Sequence, residues 1–155
     1  MDKSRIVVYS PKWDIRFLDL AKHISGWSKD PSTKVGAVIV DDDRNVLSLG
    51  YNGFPRGIQD RIPRLQIRKL KYELMVHGEM NAIYNATSKG VSLTGSTIYI
   101  HGLFVCEECA KGIIQVGIKR VVVELKQLPQ RWVESCRKAL DYFNEAGVDH
   151  IAIEM

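Results

Sequence analysis

The chain has 155 residues, 45% of them apolar and 26% charged, with a formal net charge of +4. That size and balance predict one domain over residues 1–155 with a core that needs no disulfide staples, and they argue against a disordered chain. The longest apolar runs, such as "VGAVIV", fall far short of the ~20 residues that cross a bilayer, and "MDKSRIVVYS" lacks a secretory-signal pattern, so a cytoplasmic, reducing location is expected.

"WDIRFLDLAKHISGWSK" sets Trp13, Phe17, Leu20 and Ile24 on one helical stripe. "KVGAVIVDDDRNVLSLGYNG" reads as two strands joined by a turn at "DDDRN", and "YNGFPRG" as a loop. "IQDRIPRLQIRKLKYELMV" reads as loop with some helix, and "HGEMNAIYNATSKG" as a helix capped by Gly90. A strand at "GSTIYIHG" precedes a helix at "CEECAKGIIQVG", stopped at Gly117. A strand at "IKRVVVEL", a long amphipathic helix at "QRWVESCRKALDYFNEAG" and a final strand at "VDHIAIEM" complete the order. The predicted class is α/β, a three-layer α/β/α fold around a mixed five-stranded sheet whose last two strands are parallel. "VGAVIV" and the valines of "RVVV" are unbroken apolar runs, as strands covered on both faces should be.

Two of the three cysteines sit as "CEEC". Outside a secretory context that spacing favours metal or redox chemistry over a structural disulfide. Cys106 and Cys109 fall at the start of a predicted helix, where i and i+3 are neighbours and the helix N-terminus favours thiolates. His77 and Glu79 also open a helix, where side chains can fold over the free end. Taken singly, each of these is more often a cap, a packed residue, a structural zinc knot or a redox pair. Together, one imidazole and two sulfurs suit Zn2+ with an open fourth position, which separates a catalytic site from a structural one. Glu79 is then better suited to moving protons than to binding the ion. Cys136, in the middle of the long helix, has no assigned role, nor have His23, His101 and His150. Trp13, Trp27 and Trp132 read as core or interface.

His-x-Glu followed by Cys-x-x-Cys matches the pattern of zinc nucleobase deaminases, in which the glutamate is not a ligand. The segments "SKDPSTKVGAVIV", "GYNGFPRG", "KYELMVHGEMNAI" and "CEECAKGIIQVGIKRVV" together resemble the deoxycytidylate (dCMP) deaminases of the zinc-dependent cytidine deaminase superfamily, from about Trp13 onward. The resemblance implies a cytidine-deaminase-like fold and hydrolysis of dCMP to dUMP and ammonia, supplying dTMP synthesis. It implies His77, Cys106 and Cys109 as ligands of one catalytic zinc per chain and Glu79 as the proton shuttle. It implies Asn52 as a sugar contact and the backbone of Gly78 as a contact for the pyrimidine carbonyl. Homo-oligomers, hexamers or dimers, and regulation by dCTP and dTTP are also family properties. Two positions depart from the family pattern: Gly78 stands where alanine is usual, and Val105 where proline is usual. The first is expected to loosen the turn or enlarge the pocket, and both leave the ligands intact.

For the phosphate, Lys34 and Arg56 flank the segments expected near the sugar, with Arg64, Lys69 and Lys71 as further cations. The alternatives are a tRNA or other polynucleotide deaminase, a deaminase of 5-substituted dCMP, and a non-enzymatic scaffold of the same fold. Nucleic acid and membranes are not expected partners.

Overall fold

The computed structural model describes residues 11–155; the opening segment read above for a signal pattern lies outside the described residues. Strands β1 (Gly36–Val40), β2 (Val46–Tyr51), β3 (Thr97–His101), β4 (Arg120–Glu124) and β5 (Asp149–Ile153) pair in the order β2-β1-β3-β4-β5. β1 runs antiparallel to both β2 and β3, while β3, β4 and β5 are mutually parallel. Parallel pairing therefore begins one strand earlier than the last two.

Side chains alternate across β1 and feed two cores. Ala37 and Ile39 join Ile83, Ile113, Val121 and Phe143 on one face. Val38 and Val40 join Phe17, Leu18, Tyr99 and Val122 on the other. Helix α1 (Lys12–Ser25) covers that second face, whereas α4 (Gly78–Ser88), α5 (Glu107–Gln115) and α6 (Gln130–Ala146) contribute to the first. Each fully buried side chain of this kind contributes about 1.5–3 kcal/mol relative to exposure. These are the three layers expected from the element order.

The buried stripe of α1 is shifted from the expected one: Phe17, Leu18, Ala21 and Ile24 face inward. Trp13 stays at the rim, 37% exposed. There the guanidinium groups of Arg16 and Arg44 lie 4.5 and 4.4 Å from its ring centroid. An indole face over cations gains from an arrangement that full burial would forfeit. Arg44, in the turn between β1 and β2, takes a φ of 65°. Asp41 stabilises the turn by accepting the N–H groups of Asp43 and Asn45.

The segment read as loop with some helix holds two short helices, α2 (Ile62–Gln66) and α3 (Arg68–Leu74), separated at Ile67 by extended backbone. α4 lies against β2 closely enough that glycine is required at position 50. A Cβ there would stand 2.3 Å from the Ala82 nitrogen and 2.8 Å from the Gly78 oxygen. That close approach fixes the height of the α4 N-terminus over the sheet.

Candidate active site

The carboxyl ends of β3 and β4 and the N-termini of α4 and α5 meet at one edge of the sheet, where open α/β sheets place their ligands. Two backbone hydrogen bonds between Gly53 and Val76, of 3.1 and 2.8 Å, clip the residue before His77 to the end of β2. His77 is the N-cap of α4 but makes no side-chain capping bond, so its ring is available for other work. Cys106 is the N-cap of α5, and its Sγ accepts the N–H of Cys109 at 3.5 Å. A helix N-terminus is where a thiolate is best stabilised.

His77 Nδ1 lies 3.2 Å from Cys109 Sγ and 3.4 Å from Cys106 Sγ. All three donor atoms fall within 4.8 Å of one another. Tetrahedral zinc, with bonds of about 2.0–2.1 Å to nitrogen and about 2.3 Å to sulfur, would separate its N and S ligands by roughly 3.5 Å. The donor set and its spacing therefore fit this ion. The Cys106 thiol is pulled down to about 4 by hydrogen bonds from Cys109 and His77, against the opposing effect of burial. The partner Cys109 thiol is pushed up, by its hydrogen bond with Cys106 and by burial. Zinc ligation needs both sulfurs as thiolates, so binding of the ion would release the thiol protons. His77 is raised to about 9, chiefly through its hydrogen bond with Cys106.

Glu79 sits in the first turn of the same helix and is 4% exposed. Burial raises its carboxyl above the usual range, with the charge of His77 pulling the other way. A cavity of about 240 Å³ opens onto His77, Glu79 and Cys106. Asn52 and Gly78 line it too. Asn52 is a clip for the loop before β1: its Oδ1 accepts the Val35 N–H at 2.8 Å and its Nδ2 donates to the Thr33 oxygen at 2.8 Å. The space left by the missing methyl at Gly78 is occupied rather than open. A Cβ there would meet the Val35 oxygen at 3.0 Å and the Asn52 nitrogen at 3.4 Å, so glycine lets the start of β1 approach α4. Val105 is fully buried in the core.

The cations divide. Lys71 lines the zinc cavity and is buried, bonded to Asp30 at 3.0 Å and Ser32 at 2.6 Å. Lys34 instead borders a second cavity, of about 430 Å³, which shares Thr33, Leu103 and Phe104 with the first. Its Nζ donates to the Ser28 carbonyl. Arg56 lines neither; it donates to Asn85 Oδ1 in a depression with Tyr51 and Tyr84. Its nearness to "GYNG" made it a candidate for the phosphate, and the structure sets its side chain against α4. Trp132, read above as core or interface, lines the zinc cavity, with its ring centroid 6.5 Å from that of His77 at 84°. A lone tryptophan 23 residues after the last ligand carries no sequence signal for this placement.

Residues 11–125 match the family described as the cytidine and deoxycytidylate deaminase zinc-binding region. The chain belongs to the cytidine and deoxycytidylate deaminase family. The match covers all three donors and stops at Leu125, so α6 and β5 lie beyond it. Among the relatives of this deaminase is an uncharacterized deaminase encoded in the luxG 3' region of Aliivibrio fischeri. It is 39% identical over 140 residues, covering 89% of this chain and 91% of the relative. The human deoxycytidylate deaminase is 41% identical over 142 residues, covering 88% of this chain and 77% of the human one. The chain spans a smaller share, 58%, of a probable deoxycytidylate deaminase of Drosophila melanogaster. The dCMP deaminase of cyanophage S-TIM5, solved in complex with dCMP and dUMP, shares the fold with a TM-score of 0.74 over 94% of this chain and 99% of that one, at 23% identity. This deaminase is a zinc protein, and His77, Cys106 and Cys109 are positioned to hold the ion. Among the described residues, no helix is long and apolar enough to cross a membrane.

Proposed function

We propose that the chain hydrolyses the exocyclic amine of a cytosine deoxynucleotide, dCMP, to give dUMP and ammonia. The observation that carries this is a buried carboxylate, Glu79, two residues from His77 in a cavity that also opens onto Cys106. Zinc, when bound at His77, Cys106 and Cys109, supplies a Lewis acid that brings a water's pKa toward neutrality. Glu79 removes a proton from the attacking water and delivers it to N3 of the ring as the water oxygen bonds to C4. Glu79 then takes the remaining hydroxyl proton and passes it to the amino nitrogen. The C4–N bond breaks, ammonia leaves and the uracil carbonyl remains. The backbone N–H of Gly78, in the first turn of α4 where amides lack helical partners, faces the pyrimidine carbonyl. Asn52 Oδ1 keeps a second lone pair for a sugar hydroxyl while it holds Val35.

The phosphate passes beyond Thr33 into the second cavity, toward Lys34 and Arg131. Arg131 makes no hydrogen bond or ion pair among the described residues, and its planar fork suits a phosphate. Lys71 is less suited, because Asp30 already neutralises it. Polynucleotide adenosine deamination has no specific observation in its favour. The tRNA A34 deaminase structure is 22% identical to this chain, against 41% for the human deoxycytidylate deaminase.

Ammonia release from dCMP, deoxycytidine and a tRNA anticodon stem-loop tests the activity; release confined to the tRNA would reject it. A Lys34→Ala, Arg131→Ala double variant should lower the ratio of kcat/KM for dCMP to that for deoxycytidine by at least tenfold. An unchanged ratio would place the phosphate elsewhere.

Self-association, dCTP or dTTP control and a cytoplasmic setting complete the proposal. Trp27 and Tyr84, each 53% exposed, flank Tyr51 on one surface, with Trp27 and Tyr51 in ring contact at 6.1 Å. Aromatic clusters of this kind are enriched where proteins meet. Sedimentation velocity should show a species heavier than the 17.6 kDa chain; a monomer at micromolar concentration would count against it.

A further inference from the structure

We propose that Trp132 is a specificity-determining residue that faces the C5 edge of the cytosine and limits what substituent that edge can carry, which presupposes the dCMP activity proposed above. The polar side chains of the zinc cavity outside the donor cluster gather on one side, among Val35, Tyr72 and Met75, whereas the other side is apolar throughout. Sheet order places Asn52 after β2, Thr33 before β1, Phe104 after β3 and Trp132 after β4, in that sequence across the sheet edge. Asp30, Asn52 and Lys71 gather at the β2–β1 side. Leu103, Phe104 and Trp132 form the β3–β4 side.

Cytosine is divided in the same way. One edge carries O2, N3 and the amino nitrogen, and the other only the C5 and C6 hydrogens. Proton transfer requires N3 to face Glu79, and burying O2 without a donor would be costly. The base therefore turns its apolar edge toward Trp132. The ring of His77 beside it, perpendicular to the indole, closes the corner between the donor cluster and this wall.

The wall is also held in place. Trp132, Ser135 and Cys136 share one face of α6, by their i, i+3, i+4 spacing. Ser135 Oγ accepts the N–H of Glu107, the residue after Cys106, at 3.0 Å. The Cys136 thiol donates to the carbonyl of Phe104 at 3.8 Å. The indole is thus fastened in register with the segment that carries Cys106. A fixed wall discriminates by size, where a mobile one would give way.

The test compares kcat/KM for dCMP and 5-methyl-dCMP in the wild type, Trp132→Phe and Trp132→Ala, with zinc content measured in each. The wild type should prefer dCMP by tenfold or more. Trp132→Ala should narrow that preference at least tenfold, and Trp132→Phe should retain most of it, all three with equal zinc. A second reading avoids turnover. In a Trp13→Phe, Trp27→Phe background, saturation with dUMP should shift or quench the emission of the remaining Trp132. Equal loss of both substrates in Trp132→Ala, a wild type that does not discriminate, or emission indifferent to dUMP would each overturn the assignment. Failure of the wild type to release ammonia from dCMP would instead reject the activity, and the emission experiment would still report whether the indole meets the nucleotide.

Discussion

Glu79→Gln protein should purify with the wild-type amount of zinc and release ammonia from dCMP roughly 10²–10⁴-fold more slowly, the range that positioned acid–base groups supply. The amide fills the same volume and can still hydrogen-bond, but it cannot accept a proton and hand it on. Glu79 is not among the three donors gathered at the ion site, which is why metal content and turnover should separate. Metal analysis by mass spectrometry beside a coupled ammonia assay checks both halves. Activity within a few-fold of wild type would remove the carboxylate from the mechanism, and loss of zinc would make it a structural part of the site.

Cys106→Ala should fail in the opposite order. It deletes one of the three donors and also the sulfur that accepts the Cys109 N–H at the start of α5. Zinc affinity should drop by more than the roughly 10–100-fold that loss of an outer-sphere partner costs. Turnover should fall below detection. The stability contributed by bound metal goes with it: a ligand present at a thousand times its Kd stabilises the fold by about 4 kcal/mol. A chelator should therefore lower the Tm of the wild type and leave that of Cys106→Ala unmoved. A variant that keeps stoichiometric zinc would mean that Cys106 is not a ligand.

The donor cluster was legible because its parts are local. His77 with Glu79, and Cys106 with Cys109, are close pairs at helix starts, and only the distance between the pairs awaited the fold. The layers were equally readable, since β1 and the centre of β4 are unbroken apolar runs and the final helix is strongly amphipathic. Placement that depends on loop direction was not. Lys34 and Arg56 both flank segments expected near the sugar, yet Lys34 borders the neighbouring cavity and Arg56 lies along α4. Trp132 escaped for a related reason: its position over His77 follows from the packing of α6 on α5, and a side chain three residues into a helix can face core, solvent or cleft with the same pattern. At Gly78 the residue type was informative, but what occupies the space of the missing methyl is the carbonyl of Val35, just before β1 and 43 residues earlier in the chain.

The anchoring of α6 has a broader meaning. Every donor atom, and Glu79 beside them, is encoded before residue 125, whereas the Trp132 indole and the Arg131 guanidinium that line the two cavities come after it. On the assignments proposed above, the reacting groups and part of the selectivity occupy separate lengths of polypeptide, joined where α6 packs on α5: Ser135 and Cys136 grip the backbone around Cys106, and Lys138 pairs with Glu107 at 3.6 Å. Drift in the C-terminal thirty residues can retune which nucleotide is admitted without disturbing the ion, provided those two fastenings survive.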